Sequence, residues 1–148
     1  KNGINRMGLF SKNKKPEINN PEDMSPLEAV THLFAAIQIA DQESSYEEKE
    51  AWTNAIDQLF PDHNLERSEN FFSEAHITLS NQNQINRKNY VVSVLNRIKS
   101  LLNSDQLKKI GPLIAGIVEA DGIVMTSEME IVHLSEEILG FKINIKDD

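Results

Sequence analysis

An all-α domain is the fold class this sequence predicts, on three observations: two capping-box helix starts, apolar residues recurring every three to four positions through six segments, and an internal repeat at an offset of 80 residues. At 148 residues the chain has the length of one domain and enough material to bury a core without disulfide or metal staples. It contains no cysteine, which excludes thiol chemistry, disulfides and cysteine-zinc sites and fits a reducing cytoplasm. No apolar run reaches the roughly 18 residues of a membrane span, so the sequence reads as soluble and cytoplasmic.

The first helix starts at Ser25-Pro-Leu-Glu28, with a capping Ser, Pro in the first turn and Glu three residues after the cap. Leu27, Val30, Leu33, Phe34 and Ile37 mark one apolar face, and the pattern runs to about Asp41. A second capping box, Ser45-Tyr-Glu-Glu48, opens a helix with the stripe Trp52, Ala55, Ile56 and Leu59, stopped by Pro61. Trp52 therefore reads as core. Two middle helices carry Phe71, Phe72, Ala75 and Leu79, then Val91, Val94, Leu95, Ile98, Leu101 and Leu102. A fifth pattern, Leu107, Ile110, Ile114, Ile117 and Val118, is interrupted by Gly111-Pro112, where a kink or a new segment is expected. The sixth runs from Thr126 to Leu139 and stops at Gly140, a natural left-handed cap. The alternating FKINIK is too short to form a sheet alone.

Charge divides the chain. Its net value of -8 combines a basic leader, an acidic arm over residues 17–74, a basic middle over 75–118 and an acidic end. The expected organisation is a flexible basic leader (1–24), a helical domain (25–141) and a C-terminal tail (142–148). Binding of nucleic acid by so acidic a body is not expected. Protein partners are, with peripheral membrane contact open to Leu9 and Phe10 beside Lys12, Lys14 and Lys15. No small-molecule substrate suggests itself.

Shifting residues 25–60 onto 105–140 gives eight identities without a gap: Leu27/Leu107, Ala35/Ala115, Ile37/Ile117, Ala40/Ala120, Asp41/Asp121, Glu48/Glu128, Glu50/Glu130 and Leu59/Leu139. Chance pairing gives about two. The pattern is that of a duplicated helical hairpin flanking the middle pair. It also decides the nature of the segment EADGIVMTSE (119–128), which resembles an EF-hand loop in Asp121, Gly122 and Glu128 but places Ile117 at the first ligand position. In the first copy isoleucines 37 and 39 take the first and third positions and Gln42 replaces the glycine, so neither copy can enclose an ion as an EF-hand does.

What both copies keep is Ala-Asp, a short turn and Glu seven residues after the Asp. Ala120-Asp-Gly122 with Glu128, mirrored by Ala40-Asp41 with Glu48, resembles the tellurite-resistance TerB family, whose fold also occurs in the N-terminal domain of DjlA-type membrane co-chaperones. The resemblance covers residues 25 to about 141. It implies an all-helical module linked to metal or envelope stress, without established catalysis, whose acidic residues are proposed to bind divalent cations. Gln42 in place of glycine departs from that pattern and weakens an equivalent first site.

Two roles stay open for Asp41, Glu48, Asp121 and Glu128. As caps, the aspartates accept backbone hydrogen bonds from the following helix and the glutamates sit in first turns, where negative charge is favoured. As ligands, each Asp and Glu share Ca²⁺ or Mg²⁺ with water completing the shell, and Glu119 helps from outside it. Capping is the commoner role. His32, His63, His76 and His133 form no recognisable ligand pair and read as packing or surface residues. The sequence thus points to a non-enzymatic, stress-associated binding module. The alternative is a carboxylate-dependent enzyme, for which no cofactor motif is present.

Overall fold

A computed structural model describes residues 20–41, 46–120 and 122–146, with side chains of the first residues of the second segment (46–48) and of Asp41 outside the description. Six α-helices follow one 3-10 turn (Pro21–Asp23): α1 Pro26–Asp41, α2 Tyr46–Leu59, α3 Leu65–Ser80, α4 Gln84–Leu101, α5 Ser104–Glu119 and α6 Thr126–Leu139. Among the described residues there is no strand, in keeping with the all-α class, and no helix is long and apolar enough to cross a membrane.

Local chemistry sets most helix ends. Ser25 Oγ accepts from Glu28 N at 3.2 Å, the Ser half of the expected first capping box. Asn64, Asn83 and Asn103 cap α3, α4 and α5 through their side chains, and Gln106 completes a reciprocal box with Asn103. Ser45 lies outside the described residues. Gly140 ends α6 with φ 86°, the left-handed conformation expected of it. Arg87, in the first turn of α4, reaches back with Nε (3.1 Å) and Nη2 (2.7 Å) to the carbonyl of Leu79, satisfying the end of α3.

The core is organised around α1. The expected single apolar face proves too narrow, because every residue from Glu28 to Gln38 is buried. Ala29, Ala35 and Ala36 close the side that a surface helix leaves polar, and the other five helices pack around the cylinder. Enclosure on all sides obliges the polar residues of α1 to find partners indoors, and Thr31 does so through the carbonyl of Leu27 at 2.7 Å. Trp52 is core as expected, stacked on Phe72 with ring centroids 4.4 Å apart.

α5 runs through Pro112 as one helix, so of the two expected outcomes a new segment does not occur. Both Pro112 and Lys108, whose carbonyl loses its partner, are exposed, so water can satisfy that group. The packed body also exceeds residues 25–141 at both ends. Met24 is fully buried and its carbonyl accepts from Arg97 Nε at 2.9 Å. After Gly140 the chain runs back over α5 and α6 with Ile143 buried and Phe141 and Ile145 packed on the core. Gly111 makes this possible, since a Cβ there would meet Phe141 Cε1 at 2.8 Å.

Candidate metal centre

The Asp/Glu motif is only partly in view. Asp121 and the side chains of Asp41 and Glu48 lie outside the described residues. Glu128 is 1% exposed, and its Oε1 accepts from Met125 N at 3.0 Å, the Glu half of a capping box at the start of α6. That is the capping role, performed indoors. Gly122 adopts φ 80°, and its N–H bonds the carbonyl of Glu119 at 2.9 Å. The carboxylate of Glu119 is engaged by the tail, its Oε2 accepting from Lys146 N at 2.7 Å. Ser127 Oγ donates to the carbonyl of Ala40 at 2.7 Å, bringing the end of α1 to the start of α6.

A different constellation forms inside the molecule. Glu28 and His32 are one helical turn apart on α1, hence on the same face, and Glu74 approaches from α3. One ligand atom from each lies within 4.8 Å of the others, a grouping able to hold a metal ion. Glu28 is 2% exposed and His32 1%, whereas Glu74 is partly open to solvent. Tyr90, from α4, closes the group with its hydroxyl 2.7 Å from His32 Nδ1. His32 Nε2 is buried and without a hydrogen-bond partner.

The electrostatics follow from the burial. Removal from water pushes the His32 imidazole down from 6.5 to about 4, so the ring is neutral at pH 7. Burial and, after it, the charge of Glu28 raise the pKa of Glu74. Tyr90 is likewise raised, by burial first, then by Glu28 and Glu74. A neutral imidazole beside two mutually repelling carboxylates is a donor set whose repulsion a cation relieves. The other described histidines lie apart from this group. His63 Nδ1 is 2.8 Å from the carbonyl of Phe60 and its Nε2 3.4 Å from Asp57, while His76 is paired with Ser80.

Sequence reasoning set His32 aside as a lone histidine. The available signal was the spacing Glu28-Ala-Val-Thr-His32, two ligand types at i and i+4 on a helix too apolar to face solvent. No protein-family model, curated protein or solved structure matches this chain.

Proposed function

We propose that this protein is a non-enzymatic helical module of the TerB type that binds a divalent cation at Glu28, His32 and Glu74 and acts through partner proteins. The convergence of those three side chains from two helices is the observation that carries the reading. The buried Nε2 of His32 has no hydrogen-bond partner, a cost that a bound cation would offset. Catalysis is a poorer fit, since Glu28 and His32 are almost wholly enclosed and a substrate would have to reach them past Glu74.

The TerB relationship and the duplicated hairpin belong to the same proposal. Their support is the 80-residue repeat, the equal 14-residue lengths of α2 and α6, and a crossed packing in which α1 lies on α6 and α2 on α5. Under this reading the cation sits among Glu28, His32 and Glu74, and Glu128 serves as a cap.

The test is a calorimetric titration of chelator-treated protein with divalent cations, on the parent chain and on Glu74→Gln. Glu74 is the member open to solvent, so the variant should fold. Heat of binding that vanishes in Glu74→Gln supports the reading. Binding unaffected by the substitution, or none at millimolar cation, overturns it.

A further inference from the structure

We infer that the Glu28–His32–Glu74 site takes a first-row transition-metal ion of the Zn²⁺ or Co²⁺ class in preference to Ca²⁺ or Mg²⁺, with His32 Nε2 as its nitrogen ligand and Tyr90 as the residue that positions the ring. The inference rests on the divalent-cation reading and goes beyond it to the class of metal.

Donor chemistry comes first. Ca²⁺ seeks about six to eight oxygen ligands, and Mg²⁺ gives up its water reluctantly and keeps several molecules of it. This site offers a nitrogen and two carboxylates, two of the three residues being at most 2% exposed, so it has few oxygens and little room for a hydrated ion. Imidazole suits Zn²⁺, Co²⁺ and their neighbours, which accept three protein ligands with one position left for water. In a tetrahedral zinc shell the ligand atoms sit roughly 3.4 Å apart, and one ring nitrogen of His32 already lies within 4.8 Å of a carboxylate oxygen of Glu28 and of Glu74, a span that side-chain adjustment closes.

Tautomer control comes second. With Nδ1 carrying the hydrogen and donating to the Tyr90 oxygen at 2.7 Å, the lone pair lies on Nε2, the nitrogen that is buried and unpartnered. A metal-bound histidine commonly hands its second N–H to such an acceptor, which fixes the ring and raises its basicity. Tyr90 comes from α4, a third element independent of the two that carry the ligands. The ion enters over Glu74, the one partly exposed member.

The experiment uses the full chain, chelator-treated, titrated separately with Co²⁺, Zn²⁺, Ca²⁺ and Mg²⁺ by calorimetry. Co²⁺ absorption and the ring-nitrogen NMR resonances of His32 are followed alongside, and the series is repeated on Glu74→Gln and Tyr90→Phe. Expected are Co²⁺ and Zn²⁺ affinities at least about tenfold above those of Ca²⁺ and Mg²⁺, a visible Co²⁺ band, and displacement of the His32 Nε2 resonance. Tyr90→Phe should weaken Zn²⁺ binding by about 10–100-fold and disturb the tautomer. Equal or tighter Ca²⁺ or Mg²⁺ binding with His32 unmoved overturns the inference and leaves the divalent-cation reading standing. Failure of every ion to bind overturns both. Co²⁺ binding that persists in Glu74→Gln assigns the ion to surface histidines and also overturns the inference, and an unchanged affinity and tautomer in Tyr90→Phe overturn the role given to Tyr90.

Discussion

Acidifying the protein from pH 7 to about pH 4.5 should cost about 2 kcal/mol of stability through His32 alone. The imidazole titrates at 6.5 when the chain is unfolded and at about 4 when folded. Between those values the unfolded chain binds a proton that the native protein refuses, so stability rises with pH across the window and falls as the solution is acidified. At pH 4.5 the unfolded ring is almost fully protonated and the folded ring mostly neutral. Relative to pH 7, the ratio of the two binding polynomials has then risen by a factor of about 60, or about 2 kcal/mol. For a chain of this size that corresponds to a melting temperature lower by about 4–8 °C. Glu74 acts with the opposite sign, because its raised pKa gives a contribution complete below the ordinary glutamate range and lost as pH rises through the folded value. The assay is urea unfolding at closely spaced pH values for the parent and for His32→Gln, a neutral side chain that can still hydrogen-bond Tyr90. The parent should lose about 2 kcal/mol more than the variant between pH 7 and pH 4.5. Parallel curves, or a His32 resonance titrating near 6.5, would refute the argument.

Removing the Tyr90 hydroxyl with Tyr90→Phe leaves His32 Nδ1 buried without a partner and should lower unfolding free energy by about 1–3 kcal/mol, read from denaturant midpoints at constant slope. Gly111→Ala drives a Cβ to within 2.8 Å of Phe141, so a loss of about 1–3 kcal/mol is expected, together with faster amide exchange at Ile143 as the tail lifts. Gly140→Ala forces a side chain into the left-handed region at φ 86° and should lower stability by about 1 kcal/mol in thermal melts. Phe34→Ala empties the middle of the core and should cost about 3–5 kcal/mol, the largest effect of the set.

The helices were legible because their signals are local. Ser25, Gly140 and the apolar stripes act within one turn of where they stand in the sequence, and α2 and α6 lie where the patterns put them. Pro112 starts no new segment because the penalty of proline depends on whether the orphaned carbonyl faces water, which only packing decides. The full enclosure of α1 was half-visible: Ala29, Ala35 and Ala36 hinted at it, but Glu28, His32 and Gln38 argued for a solvent-facing side until the surrounding helices were in place. That same enclosure hid the grouping of Glu28, His32 and Glu74. The repeat drew attention to what the two copies share, whereas Glu28 and His32 align with Lys108 and Pro112 and have no counterpart. Glu74, 42 residues beyond His32, joins them only through the packing of α3 on α1. Distance along the chain carries no trace of such a meeting.

The enclosure of α1 also shapes how the chain must come into being. During synthesis α1 emerges before each of the five helices that cover it, presenting an apolar surface that its few polar residues, Glu28, Thr31, His32 and Gln38, cannot screen. At about 5–20 residues per second, the ribosome leaves that surface unprotected for several seconds until α6 has followed. A nascent chain arrested after α2 would be sticky and prone to capture by holding chaperones, whereas one arrested after α6 would bury the same residues at once. Premature termination anywhere before residue 139 therefore yields an aggregation hazard and not a smaller working protein.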